Sequence, residues 1–260
     1  MDIKKLHLVY FSPTGTTQSI LRSAAKSFST EIVEHDLTDY AAREVQLGLG
    51  KDDFVLFGFP VYGGRVPETF RERMKDIQGR RTPAALIATY GNREYEDALL
   101  EMKDISEENG FLPIGAAAIV TEHSVIQSIA TGRPDAKDRA FIEDFYSELK
   151  KRILSISSEN FLAKIIVPGK EPYRRYMKLP MNPVATASCT VCGLCAKRCP
   201  VGAIDAHNPL KTDRDKCIGC MRCVRICPQK ARHLPKLKMA VGKFYLSSVK
   251  RIRKEPEMYI

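Results

Sequence analysis

All eight cysteines of this 260-residue chain lie between Cys189 and Cys227. They are Cys189, Cys192, Cys195 and Cys199, followed by Pro200, then Cys217, Cys220, Cys223 and Cys227, followed by Pro228. Each run reads C-x2-C-x2-C-x3-C-P, and the second repeats the first at an offset of 28 residues (217 − 189). No other feature of the chain restricts its fold as much. Three thiols so close in sequence can grip one corner of a polynuclear centre, while the fourth ligand must come from further away.

The spacing is that of the iron–sulfur ligand runs of bacterial two-cluster proteins, in which the fourth Cys ligates the other cluster. Two 4Fe–4S clusters are therefore expected. One would take Cys189, Cys192, Cys195 and Cys227, the other Cys217, Cys220, Cys223 and Cys199. Structural zinc prefers paired C-x2-C with a longer spacer. Disulfides are rare in a reducing compartment. A 3Fe–4S cluster would need a missing ligand, and none is missing. Pro200 and Pro228 should turn the chain away after each crossing ligand. Gly193 and Gly219 should let the backbone approach closely. His207 and His233 lie nearby and read as surface or packing residues, since the thiolate set is complete without them.

At 44% hydrophobic the chain can bury a core. No apolar run reaches the ~18 residues of a spanning helix; the longest lies around Phe111–Val120. The first strand begins almost at once (Leu6 to Phe11), with no signal-peptide h-region. A cytoplasmic protein without a transmembrane segment is expected. The net charge of +10 is unevenly spread: residues 1–150 hold 18 Lys+Arg and 24 Asp+Glu, and residues 151–260 hold 23 and 7. A basic half can signal nucleic acid, but no recognition motif accompanies it. Two clusters with thiolate ligands would offset part of the surplus, and the rest suits an acidic protein partner. No nucleic-acid role is expected.

Residues 1–154 alternate apolar β-rich runs with helical patterns, the mark of an α/β parallel sheet. Strands are expected at Lys5–Phe11, Glu31–Leu37, Phe54–Phe59, Ala84–Thr89 and Pro113–Val120. Helices are expected at Thr16–Phe28, Pro67–Ile77, Glu94–Glu108 and Asp135–Ile153, with a short crossover helix near Thr38–Leu47. Five strands wound this way suggest the doubly wound order 2-1-3-4-5, whose ligands sit outside the carboxyl ends of the strands.

Three loops meet at that edge. Ser12, Thr14, Gly15, Thr16 and Thr17 open the first helix with hydroxyls and backbone N–H groups, a setting suited to a phosphate. The loop has no Lys or Arg, which favours a monophosphate. P-loop and G-x-G-x-x-G patterns are absent. The second loop is Pro60, Val61, Tyr62, Gly63, Gly64, Arg65, and the third is Tyr90, Gly91, Asn92, Arg93, Glu94, Tyr95. Each places an aromatic beside glycine, as a planar ring ligand needs.

Residues 1 to about 153 resemble a flavodoxin domain, Ser12-x-Thr14-Gly15-x-Thr17 being similar to that family's FMN-phosphate loop. By that resemblance Ser12, Thr14, Gly15, Thr16 and Thr17 bind the FMN phosphate, while Tyr62 and Tyr90–Tyr95 flank the ring. With the cysteine runs, the whole chain resembles the flavodoxin–ferredoxin fusions of anaerobes, the EFR-type ferredoxin family. The Tyr-Gly-Asn-Arg loop and the closing Arg253-Lys254-Glu255-Pro256-Glu257 also resemble that group. Arg65 and Arg93 stand where ordinary flavodoxins carry acidic cover, and such cations would stabilise a reduced, anionic flavin.

Four segments follow: an FMN-binding domain at 1–154, a wrapping linker at 155–186, a small α+β two-cluster ferredoxin domain at 187–235 and a basic amphipathic tail at 236–260. In the linker Phe161, Leu162, Ile165 and Ile166 need cover. In the tail Leu237, Val241, Phe244, Leu246, Val249 and Ile252 form an apolar face, which is expected to pack back on the protein rather than meet a membrane surface. The function expected is an electron relay between FMN and two 4Fe–4S clusters, serving a redox partner protein and possible as a homodimer. The alternative is an FMN-dependent reductase of a quinone or aromatic compound, fed by the clusters.

Overall fold

A computed structural model describes residues 3–155, 164–178 and 180–260. The N-terminal elements in order are β1 (Lys5–Tyr10), α1 (Thr16–Ala25), β2 (Glu31–Asp36), a 3₁₀ turn (Tyr40–Glu44), β3 (Leu47–Leu49), β4 (Asp53–Pro60), α2 (Glu68–Met74), β5 (Ile77–Gly79), β6 (Thr82–Tyr90), α3 (Ala98–Glu108), β7 (Phe111–Val120) and α4 (Ala136–Ser155). The C-terminal elements are β8 (Val184–Ala185), α5 (Leu194–Lys197), α6 (Arg222–Arg225), β9 (Arg232–His233), α7 (Lys236–Tyr245), a 3₁₀ turn (Val249–Arg251) and β10 (Glu257–Tyr259).

The main sheet runs β2-β1-β4-β6-β7-β10. Its first five strands are parallel and reproduce the order 2-1-3-4-5, the flavodoxin-like winding. Alternation along β4 decides which side chain serves which face. Phe54 and Leu56 join Ile20, Leu21, Phe145 and Leu149 under α1 and α4. Val55, Phe57 and Phe59 join Phe70, Leu99 and Met102 under α2 and α3. Gly58 has no side chain because α1 lies too close: a Cβ there would stand 2.6 Å from Leu21 Cδ1 and 2.9 Å from Thr17 Cγ2. The expected crossover helix near Thr38–Leu47 is only a 3₁₀ turn followed by β3, which pairs with β5 in a separate parallel ribbon.

Two features depart from the expected plan. β10 adds antiparallel to β7, from Glu257↔Ala118 to Tyr259↔Ala116, and covers an edge otherwise open. The tail thus ends as part of the first domain. Residues 164–178 lie along the α2/α3 side: Ile165 and Val167 enter that core, but Ile166 is 88% exposed. Phe161 and Leu162 lie outside the described residues. β8 pairs with β9 through Val184↔His233 and Ala185↔Arg232, tying residues 184–185 to the far end of the cysteine-rich stretch.

Candidate functional site

The loop of residues 12–17 is shaped by Gly15, which sits at φ 84° as the N-cap of α1. That backbone suits glycine, and a Cβ there would meet open space. Its conformation, not crowding, is therefore the constraint at Gly15. Ser12 is occupied locally: its N–H donates to Thr38 Oγ1 at 2.8 Å, and its Oγ accepts from Gln18 N at 3.0 Å. Thr17 Oγ1 pairs with Thr89 Oγ1 at 2.8 Å. The half-exposed Thr14 and Thr16 hydroxyls make no hydrogen bond among the described residues. Free hydroxyls, a helix N-terminus and no acidic residue in its first turn fit a phosphate.

The second loop turns tightly at the end of β4. Tyr62 N donates to Arg65 O at 3.1 Å and Arg65 N to Tyr62 O at 3.2 Å. Gly63 and Gly64, at φ 61° and 82°, complete a two-residue turn of the primed type. Pro60 ends β4, and Val61 and Tyr62 pack on the α2/α3 core. Burial, then the neighbouring Cys220 and Tyr176, push the Tyr62 hydroxyl well above its ordinary pKa.

The cations near these loops are compensated, contrary to the expectation of uncovered positive charge. Arg65 grips Glu101 through two hydrogen bonds of 2.7 and 2.6 Å, with Glu101 only 2% exposed. Arg93 grips Glu96 at 3.0 and 2.8 Å. Each carboxylate is shared with a second arginine, Glu101 with Arg71 and Glu96 with Arg174.

The third loop mostly holds other parts of the chain. Tyr90 is buried edge-on to Tyr95, with ring centroids 5.3 Å apart, and its hydroxyl has no partner among the described residues. Tyr95 OH meets Glu257 Oε2 at 2.7 Å and Tyr259 OH at 2.6 Å. Asn92, at φ 62°, donates to Val249 O and Ile252 O and accepts from Lys254 N. Gly91 lies under the His123 ring. Asp97 receives Lys170 N and Arg174 N, and Glu96 pairs with Arg174.

The cysteine-rich unit is built as two like halves. Positive φ recurs at Val191 and Gly219, at Gly193 and Met221, and at Gly202 and Lys230, each pair separated by the 28-residue offset (219 − 191). α5 and α6 obey the same offset (222 − 194). Ala203 N donates to Cys199 Sγ and Ala231 N to Cys227 Sγ, both at 3.3 Å. Gly193 has nothing within 4 Å of an added Cβ, so its left-handed backbone, not close approach, calls for glycine.

Cys199, Cys217, Cys220 and Cys223 line one cavity together with Ala203, Ile204 and Ile218. Three of these cysteines are neighbours in sequence and the fourth crosses from the other run. Cys195 belongs to the same small core as Cys199 and Cys217; Cys189 and Cys227 are partly buried and Cys192 is exposed. Among the described residues no three His, Cys, Asp or Glu side chains converge as a single ion would require. Thiols ringing a cavity suit a larger, polynuclear centre. Burial, opposed by the Arg222 backbone N–H, pushes the Cys220 thiol up; burial pushes Cys223 up to about 12. A bound cationic metal reverses that preference.

This unit sits against the first domain through residues that sequence patterns did not single out. Asp39 accepts Arg222 at 2.8 Å and Arg198 at 2.6 Å, one arginine from each half. Arg73 donates to Pro200 O at 2.7 Å and also to Leu37 O. Ile218 packs on the α2/α3 core, as Tyr62 does. The only trace of this interface in the sequence is the charge asymmetry between the halves.

Residues 183–205 and 210–233 match the Fer4 family, the 4Fe-4S binding domain. A 52-residue stretch is 46% identical to one component of an ion-translocating oxidoreductase complex from Methanosarcina acetivorans, and it spans 20% of each protein. A flavodoxin from the domain Archaea is 15% identical over 58% of this chain and 99% of its own, at a TM-score of 0.42. An apo NADH:FMN oxidoreductase is 13% identical over 60% and 91%, also at 0.42. At these scores the strand order alone carries the fold assignment. The chain joins a flavodoxin-like α/β domain to a C-terminal region of 4Fe–4S binding domains.

Proposed function

We propose that this chain is an iron–sulfur flavoprotein that relays electrons between FMN and two 4Fe–4S clusters. FMN would lie on residues 12–17, 60–64 and 90–95, and the clusters on the eight cysteines in crossed sets. One observation carries the reading. Ile218, in the cavity lined by Cys199, Cys217, Cys220 and Cys223, packs on the same core as Tyr62, at the carboxyl edge of the sheet. The flavin end and one cluster end would therefore abut within a single chain.

When bound, FMN supplies coupling between two-electron and one-electron chemistry. The chain's own residues hold and insulate. Thr14, Thr16 and the α1 N-terminus would grip the phosphate, and Tyr62 would offer an aromatic face. The N–H groups of Ala203 and Ala231 would stabilise charge on the crossing thiolates, one of the levers that set cluster potential. Arg65 and Arg93 would be held by Glu101 and Glu96 rather than left unpaired at the flavin edge. The exposed Cys192, with exposed Val191 and Leu194 beside it, would mark where a redox partner protein docks on the second cluster. The match to a component of an oxidoreductase complex agrees with hand-over to another protein.

Anaerobic reconstitution tests this. The full chain should take up one FMN and about eight iron atoms, with cubane EPR signals on reduction. Cys199→Ala should lower iron to about four per chain while flavin is retained. Absence of flavin binding, or of any cubane signal, would refute the relay.

A further inference from the structure

We propose that α7 and the segment after it, residues 236–253, form a docking surface for an anionic lipid bilayer. The tail was expected to turn its apolar residues toward the protein; Leu246 and Val249 are half-buried, but Leu237, Val241 and Phe244 of α7 face outward. Its inward side is Gly242, where an added Cβ would lie 3.0 Å from Met181 Cε and 3.3 Å from Ile126 Cδ1. The backbone itself is seated on those two side chains. Lys238 Nζ reaches Asn182 Oδ1 at 3.3 Å. Beyond the helix, Asn92 holds the carbonyls of Val249 at 3.0 Å and Ile252 at 2.7 Å. The segment is fixed on both sides of its outward face.

That face is a stripe at helical spacing: Leu237 is 77% exposed, Val241 59%, Phe244 84% and Tyr245 74%. Positions i, i+4, i+7 and i+8 define the side a surface helix normally buries. Here the stripe meets solvent, and Ile252 is exposed in the segment beyond. The surrounding charge is of one sign. Residues 236–254 contain Lys236, Lys238, Lys243, Lys250, Arg251, Arg253 and Lys254, and no Asp or Glu. Arg253 and Lys254 are neutralised by Asp135 and Glu94. Lys236, Lys243, Lys250 and Arg251 form no salt bridge among the described residues. An apolar stripe flanked by unpaired cations is the pattern of a helix that lies in a membrane interface. The cations add attraction to anionic headgroups. A second copy of the chain would bring the same cations face to face, which opposes self-association through this stripe. Among the described residues no helix is long and apolar enough to cross a membrane, so the contact would be peripheral.

Flotation of the cluster-loaded full chain with phosphatidylcholine vesicles, with and without phosphatidylglycerol, tests the proposal. The chain should float with the anionic vesicles and not with the neutral ones, and added salt should weaken the association. The double variant Leu237→Ala, Phe244→Ala should bind at least ~10-fold more weakly through loss of inserted apolar area. The triple variant Lys236→Gln, Lys243→Gln, Lys250→Gln should bind about 100-fold more weakly, at about fivefold per charge. Both sets are exposed, so unchanged cluster absorbance should verify that the fold survives. Failure to float with anionic vesicles overturns the proposal, as does equal binding by the variants. A lipid-free dimer that Phe244→Ala dissolves would assign the stripe to a second copy and overturn it too.

Discussion

His123 carries a consequence that its neighbours make calculable. Its Nδ1 accepts Val125 N at 3.2 Å and Ile126 N at 3.1 Å, shaping the loop on which α7 rests. Burial, then the positive charge of Arg93, pushes its pKa down to about 4. The unfolded chain, with an ordinary histidine near 6.5, binds this proton more readily than the folded one. Stability is therefore fully present above about pH 6.5 and falls as pH drops toward 4. The loss from this group reaches up to about 3 kcal/mol. Denaturant unfolding across that window should show the slope, and His123→Gln should flatten it. Residues of this kind escape a sequence reading, since a lone histidine in a loop carries no pattern. The cysteines are the opposite case. Their ligand geometry depends on local spacing, and spacing is written in the chain.

At the scale of elements, the parallel strands and flanking helices were legible because a buried strand is an apolar run and a surface helix is periodic. β10 was not. Three residues after Pro256 have no period, and they become a strand only because β7 offers an open edge. Asn92 makes that docking specific. Its side chain takes part in three hydrogen bonds to the tail from a backbone at φ 62°. Asn92→Gly keeps that conformation accessible and removes the bonds. It should cost about 2–3 kcal/mol. Amide exchange should accelerate in residues 249–260 and stay unchanged in α1. Unchanged exchange in the tail would mean that β10 is held by its ladder alone. The sequence resemblance placed Asn92 beside a flavin; its side-chain bonds go to the tail.

For the whole molecule, the decisive contact is the seat of the cysteine-rich unit. Its own core is small, Cys195, Cys199, Ala203, Ile204 and Cys217 with a few partly buried neighbours. A unit of this size usually draws folding free energy from bound metal. Its position comes from Asp39, Arg73 and Ile218. Asp39→Ala leaves the largely buried Arg222 unpaired and should weaken the seat by about 2–3 kcal/mol. Iron and flavin content should hold, exchange should rise in residues 198–225, and electron transfer between flavin and cluster should slow in rapid-mixing experiments. A transfer rate equal to that of the parent would exclude this interface as the route. Part of the basic surplus that suits an acidic partner is met within the chain, at Asp39.

What the sequence by itself determined is the cysteine pattern of the second half and the winding of the first. Thiol spacing, a hydroxyl-rich turn before a helix and the alternation of apolar runs are local quantities, and local geometry follows from them. The tertiary structure alone decided how the halves meet, that Arg65 and Arg93 are paired with Glu101 and Glu96, and that the tail completes the sheet while α7 turns its apolar stripe outward. Those outcomes depend on pairs far apart in the chain, Asp39 with Arg222, Asn92 with Ile252 and Gly242 with Met181. No single stretch of sequence carries the energy of such a pair.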